Sequence, residues 1–210
     1  MTEIIDPADV VRIFEDPRFL VPEPNAPAET SFDLFRARVS RFANGTMHAE
    51  RRARLNGMLA MLDPGALAAD AGARTRRMLR AHADPQSVRD DERRTQARGT
   101  QARGTLTAAI AWHVPVATLA LALGFRNPDE APPLVARVAD EYPTGRRTAI
   151  GRQDEIGTAM TEDEAIERLR TTSGAQGGEG DLRVQLLVQA YAATGSLVIG
   201  AMRRLAASVD

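Results

Sequence analysis

His48 and Arg52 are the pair whose residue types and spacing could bind an anion. They lie four residues apart in GTMHAERRARL, residues 45–55, which carries helical signals. Residues four apart share a helix face, and an imidazole beside a guanidinium can hold a carboxylate, a sulfate or a phosphate. The alternative is a solvated, arginine-rich face that also includes Arg51 and Arg54. We favour this alternative, because arginine-rich helices are common in this chain.

The residue types that the sequence lacks exclude several other chemistries. Among its 210 residues are no cysteine and no lysine, and all 27 basic residues are arginine. The chain therefore offers no disulfide, thiolate metal ligand, Schiff-base lysine or Walker-type phosphate site. His82 and His113 have no helical spacing with His48 and no neighbouring carboxylate set, so we expect structural histidines and no metal site.

The composition is that of one soluble domain spanning residues 1–210. The apolar fraction is 43%, the charged fraction 26% and the net charge −1. A net charge so close to zero gives no electrostatic argument for a nucleic acid or an anionic membrane as partner. The N-terminus has no signal-peptide pattern, so we predict a cytoplasmic protein. The bias toward Arg, Ala and Gly is typical of a GC-rich genome.

The capping residues and prolines along the chain predict an all-helical fold. Asp6–Pro7 and Asp63–Pro64 each combine an N-cap with proline at the first helical position. Thr161 and Glu164 form a capping-box pattern. A strong helix is predicted over 46–61, with an apolar stripe of Leu55, Met58, Leu59 and Leu62. No alternating run predicts a sheet.

Two segments are predicted to be flexible connections. A polar insertion of about residues 84–105 contains TQARG twice, at 95–99 and 100–104, which indicates a tolerated duplication in a loop. A glycine-rich linker of about residues 171–180 lacks the spacing and the lysine of a phosphate-binding loop.

The last predicted helix is long and unusually apolar. Asp181 is its expected N-cap, and it runs to about residue 207, roughly 40 Å. Residues 186–202 carry no charge but are fewer than the ~20 needed to span a membrane, so we predict a buried helix of a soluble protein. A second buried helix, within 105–125, is interrupted or begins at Pro115, with Trp112 and His113 packed in the core.

The order of these signals resembles the N-terminal half of a bacterial cytochrome P-450, from its B helix to its I helix. DPADVVRIFEDPRFLV resembles the B helix and the segment after it. FANGTMHAERRARLNGMLAMLDPGAL resembles the C helix, and VPVATLALALGF the E helix. LLVQAYAATGSLVIGAM resembles the centre of the I helix. The implied fold is a truncated, all-α, P-450-like domain that ends at a long central helix.

The resemblance implies a heme-binding ancestry, from which this chain departs. In the family, the His–Arg pair of the C helix, here His48 and Arg52, holds the heme propionates. The I helix carries a Gly-x-acid-Thr motif that handles oxygen and protons. Here Tyr191 stands in place of the glycine and Ala193 in place of the acid, and only Thr194 is retained. Because alanine cannot relay a proton and the cysteine half is absent, we expect no oxygen activation. No cofactor is expected, unless a partner chain supplies an iron ligand for heme.

Three hypotheses for the function follow from the resemblance. The first, which we favour, is a heme-less auxiliary subunit of a natural-product biosynthetic enzyme, such as one that makes an antibiotic. The second is a subunit of a non-redox tailoring enzyme for elimination or cyclisation, with an anionic substrate on His48 and Arg52. The third is a degenerate or split P-450. Without a second half to cover them, residues 182–205 would expose apolar side chains, so we expect a protein partner or a homo-oligomer through this segment.

Overall fold

All the regular structure that the computed structural model describes is helical, as the sequence predicts. The model describes residues 6–16, 18–24, 27–83, 102–142 and 160–208. The helices in these ranges are α1 (Pro7–Glu15), α2 (Ser31–Arg38), α3 (Gly45–Ala60), α4 (Pro64–Ala83), α5 (Ala102–Ala122), α6 (Ala131–Glu141), α7 (Glu162–Thr172) and α8 (Gly178–Ala207). Short 3₁₀ turns lie at Ser40–Phe42 and Pro128–Glu130. Most of the predicted insertion at 84–105 lies outside the described residues, and its last residues, 102–105, belong to α5.

Three helix starts follow from capping residues that the sequence marks. The Asp6 carboxylate accepts a hydrogen bond from the backbone N–H of Ala8 at 2.8 Å, and Asp63 accepts one from Gly65 at 2.8 Å. Thr161 and Glu164 form the complete reciprocal capping box. These side chains satisfy backbone donors that a helix leaves without an intrahelical partner. The three predicted starts are confirmed.

Helix α5 runs through Pro115 without a break, whereas the sequence suggested an interruption or a start there. Proline removes one backbone donor and crowds the preceding turn. Its neighbours Val114 and Val116 are both buried. Burial of this apolar run on both sides of the proline offsets the lost hydrogen bond.

The core lies where α5, α6, α7 and the first part of α8 meet. Helix α2 and the second half of α3 close it from one side through three buried residues, Phe32, Phe35 and Leu55. Helix α8 packs antiparallel to α5: the Arg183 guanidinium donates to the carbonyl of Leu123 at 2.9 Å, and Tyr191 contacts Trp112 further back along α5. The N-terminal part of α8 is thereby fixed in the centre of the fold.

Asp181 is not the N-cap of the last helix, because α8 begins three residues earlier, at Gly178. The carboxylate of Asp181 is fully buried and accepts hydrogen bonds from Arg170 Nε at 2.6 Å and Arg38 Nη1 at 3.4 Å. One turn on, the buried Gln185 accepts from the Ser40 backbone N–H at 2.9 Å and donates to the Ser40 hydroxyl at 2.6 Å. These bonds tie α8 to α2, α7 and the first 3₁₀ turn.

The connection before α8 is shorter than the linker predicted at 171–180. Helix α7 includes Thr171 and Thr172, so only Ser173–Gly177 lies between the two helices. Gly174 and Gly177 have positive φ angles of 70° and 58°, which other residues rarely adopt. The Ser173 hydroxyl donates to the Arg170 carbonyl at 2.8 Å and is buried. The segment is a tight helix–helix turn.

Most of the buried residues of α8 lie in its first part, which corrects the prediction of a buried helix throughout. The residues from Gly180 to Val188 are buried except Arg183, and Gly195 is buried further along, whereas Leu197 is 66% exposed and Leu205 67% exposed. By length and composition alone, residues Gly178–Leu205, with a mean hydropathy of 1.4, could cross a membrane. Core helices of soluble proteins also meet this criterion, and this one buries Asp181 and Gln185 inside the fold.

Candidate functional site

His48 and Arg52 lie on the exposed side of α3. Both residues are exposed, and neither makes a hydrogen bond or ion pair in the part of the chain that the structure describes. Their four-residue spacing does place them on one face of the helix. The pair is not among the lining residues of the three pockets of about 200, 230 and 290 Å³ that the structure describes.

The neighbouring face of α3 lines a basic pocket. It has a volume of about 290 Å³ and lies between α3, the end of α2 and the first turn of α8. We call it the arginine pocket; its lining residues are Arg38, Met47, Glu50, Arg51, Arg54, Gly177, Gly178 and Leu182. The buried Leu55 anchors this side of α3 in the core.

The arginine pocket concentrates positive charge. Three of its lining side chains are arginines and one is a glutamate. Arg38 is held by the buried Asp181, and Arg51 Nη1 donates to the carbonyl of Val39 at 2.8 Å. Arg54 makes no hydrogen bond or ion pair with any residue that the structure describes. Its guanidinium is therefore available to a ligand.

The pKa of Arg51 is lowered from its ordinary value. Burial is the largest cause of this lowering, and repulsion from the positive charge of Arg54 is the second. Asp181 and Glu23 raise it, but each has a smaller effect than Arg54. An anion placed between Arg51 and Arg54 would relieve the repulsion between them.

Tyr191, Ala193 and Thr194 lie further along α8, away from the arginine pocket. Tyr191 packs on Trp112 of α5, with ring centroids 4.9 Å apart at an interplanar angle of 39°. Burial, and secondarily the charge of Asp140, raises the pKa of the Tyr191 hydroxyl. Ala193 is exposed and Thr194 is half-buried. Within the predicted motif, Tyr191 therefore packs against α5, Ala193 lies on the surface, and Thr194 is half-buried next to Ala193.

The two predicted heme-type residue sets lie on different helices, His48 and Arg52 on α3 and Tyr191, Ala193 and Thr194 on α8. Tyr191 follows Leu182, which lines the arginine pocket, by nine residues, or roughly 13 Å along the helix. His48 and Arg52 are not among the residues that line that pocket, and the Trp112 ring packs against Tyr191.

Trp112 and His113 have different surroundings, although the sequence predicted core packing for both. Trp112 is half-buried against Tyr191, whereas His113 is exposed at the edge of a pocket of about 230 Å³ between α4 and α5. Desolvation lowers the pKa of His113. No group of three or more His, Cys, Asp or Glu within the described ranges is placed to hold a metal ion.

A polar network closes the base of this second pocket. The buried Arg74 donates to Asp70 at 2.6 Å and also pairs with Asp129 of the second 3₁₀ turn. Asp70 in turn accepts a hydrogen bond from the Thr118 hydroxyl at 2.7 Å. Burial raises the pKa of Asp70, but the bonds from Thr118 and Arg74 outweigh burial and lower it overall. This network holds α4 against α5 and thereby stabilises the fold.

Helix α3 carries basic side chains on two neighbouring faces, and one of these faces lines the arginine pocket. Met47, Arg51, Arg54 and Leu55 follow helical spacing and continue into the predicted apolar stripe. His48 and Arg52 also continue at helical spacing into this stripe, because Leu55 and Leu59 follow them by seven residues each. The helical pattern alone therefore does not show which face of α3 lines the pocket.

No protein-family model, curated protein or solved structure matches this chain.

Proposed function

We propose that this chain is a heme-less, P-450-like auxiliary subunit that binds and stabilises a cytoplasmic biosynthetic enzyme of natural-product metabolism. Support for the P-450-like part comes from the order of the B-, C-, E- and I-helix-like segments in an all-helical chain. Support for a role without oxygen activation comes from Tyr191 and Ala193 and from a sequence without cysteine.

The exposed half of α8 is the observation that carries the proposal. Residues 192–205 contain an uncharged run up to Met202, and Leu197 and Leu205 are about two-thirds exposed. Val198, Ile199 and Met202 beside them are half-buried. We take these exposed and partly exposed apolar side chains together as the site of protein association. The partner surface proposed at 182–205 is thereby narrowed to 192–205, because residues 182–188 lie in or against the core.

The partner is expected to be a protein with a complementary apolar groove. The apolar run is followed by Arg203 and Arg204, both exposed. Apolar anchors with arginine beside them are typical of interfaces in which a helix lies in a groove. Because the first part of α8 is fixed in the fold by Asp181 and Gln185, the second part is presented as a preorganised helix, which lowers the entropic cost of binding.

Co-expression with biosynthetic enzymes encoded beside its gene tests the proposal. We expect the chain to co-purify with one enzyme in a fixed ratio and to raise that enzyme's soluble yield or activity. Leu197→Glu should break the complex, because a charge would be buried in the interface. Met61→Glu is the matched control, since Met61 is 87% exposed but lies at the α3–α4 corner. Loss of the complex in both variants, or in neither, would contradict the proposal.

A further inference from the structure

We infer that the arginine pocket binds a small phosphomonoester, with Arg51 and Arg54 as the ligands of the phosphate. This binding site is separate from the proposed interface on α8, since it lies at the opposite end of that helix. It also differs from the predicted His48–Arg52 clamp, which lies on another face of α3.

The charges in the pocket favour a dianion. Its lining holds three arginines and Glu50. The buried Asp181 beside it is already paired with Arg170 at 2.6 Å as well as with Arg38. Asn44 holds Glu23, the other carboxylate that acts on Arg51, at 2.9 Å. A phosphomonoester carries a charge of about −1.5 to −2 at neutral pH and can accept bidentate hydrogen bonds from guanidinium groups.

The donors in the pocket are free to make these bonds. Arg51 Nη1 donates a hydrogen bond to the Val39 carbonyl, which fixes the side chain. The other guanidinium nitrogens of Arg51 remain available to a ligand. Arg54 has no partner among the residues described, and its repulsion of Arg51 is relieved when an anion binds between them. The same like-charge contact that costs stability in the free protein therefore adds to affinity for a ligand.

The shape of the pocket favours a small organic phosphate. Its volume of about 290 Å³ is at the lower end of the range for ligand pockets. Met47 and Leu182 provide apolar contacts next to the guanidinium groups. Gly178 leaves open space, with no atom within 4 Å of the position that a Cβ would take. A phosphate with a small apolar body would fill the space that inorganic phosphate leaves empty.

Calorimetric titration of the full-length chain with phenyl phosphate, inorganic phosphate and benzoate, at constant ionic strength set with chloride, tests the inference. We expect saturable binding at one site, tightest for phenyl phosphate, weaker for inorganic phosphate and weakest for benzoate. Arg54→Gln should weaken phenyl phosphate binding about tenfold or more, because a charge-assisted hydrogen bond is lost. Arg54→Lys should bind between the wild type and Arg54→Gln, because it keeps the charge but loses the bidentate geometry.

Arg52→Gln is the matched control, because it removes the same charge from an exposed position two residues away on the same helix. It should leave phenyl phosphate binding within about twofold of the wild type, because solvent and salt screen the charge of Arg52 from the bound phosphate. Equal losses for Arg52→Gln and Arg54→Gln would show non-specific attraction and overturn the inference. Absence of saturable binding to the wild type, or a preference for benzoate, would also overturn it.

Discussion

Trp112 and Tyr191 mark the point at which the long helix α8 leaves the core. Their rings lie 4.9 Å apart, just after the buried stretch of α8 that ends at Val188 and just before the exposed residues Ala192 and Ala193. The aromatic contact covers the end of the core with a large apolar surface. It fixes the direction in which the second half of α8 is presented.

The packing of Trp112 makes Gly195 sensitive to substitution. A Cβ added at Gly195 would overlap the Trp112 ring, well inside van der Waals contact. We expect Gly195→Ala to lower the free energy of unfolding by about 1–3 kcal/mol, the usual cost of overpacking. Urea denaturation followed by fluorescence of Trp112, the only tryptophan in the sequence, measures the change directly.

Gly200→Ala is the matched control on the same helix. No atom lies within 4 Å of a Cβ built at Gly200, so the substitution should raise helix stability by about 0.5–1 kcal/mol. If the two variants have the same stability, the Trp112 ring does not pack against α8 as described.

The buried Asp181 is expected to be a stability determinant of α8. Asp181→Asn keeps the shape of the side chain but removes the buried counter-charge of Arg170, which is mostly buried and then retains only the exposed Glu167 at 3.1 Å. We expect a loss of about 3 kcal/mol, the low end of the range for broken buried pairs, because Arg38 retains access to solvent. Glu179→Gln removes an exposed partner of Arg183 and should cost at most about 0.5 kcal/mol. Similar unfolding midpoints for the two variants would contradict this assignment.

His113 is expected to make stability fall on acidification. Desolvation lowers its pKa in the folded state below the ordinary value of 6.5, so the unfolded chain takes up the proton first. The folded state is therefore unaffected above that pH and loses stability as the pH falls from about 6.5 through the folded pKa. Thermal denaturation between pH 7.5 and pH 5 should show a shallower decline for His113→Gln than for the wild type.

The control for this prediction is His48→Gln on the exposed face of α3. It should follow the wild-type decline in melting temperature. A His113→Gln variant with an unchanged slope would show that protonation of His113 is not coupled to unfolding.

Expression of the chain with a heme precursor tests whether the residues that resemble a P-450 retain affinity for heme. We expect a colourless protein, because His48 and Arg52 are exposed and the sequence has no cysteine that could ligate a heme iron. The absorption spectrum of the purified chain measures this. A Soret band that disappears in both His48→Ala and Arg52→Ala would contradict the heme-less assignment and favour a split hemoprotein.

Local sequence signals predicted the helices but not their surroundings. Asp6, Asp63 and Thr161 act on neighbouring backbone groups, so their caps could be predicted without tertiary structure. Asp181 resembles such a cap but is paired with Arg170 and Arg38, an arrangement that depends on the packing of α7 and α2. Local propensity predicts that a helix is interrupted or begins at Pro115, but it does not include the burial of Val114 and Val116, which lets the helix continue.

The candidate site was predicted less well than the helices. The spacing of His48 and Arg52 shows a shared face but not which way that face points. The position of Arg51 and Arg54 at the pocket depends on the docking of α3 against the first turn of α8. This contact joins residues more than 120 positions apart in the sequence.

The mass of the chain in solution, measured by light scattering over a range of concentrations, tests most directly whether the exposed half of α8 is an association surface. Without its partner, the wild type should show an average mass above the 22.7 kDa of the monomer that rises with concentration. Leu197→Glu should reduce the mass to that of the monomer, whereas Met61→Glu should not. A wild type that stays monomeric at every concentration would contradict the account.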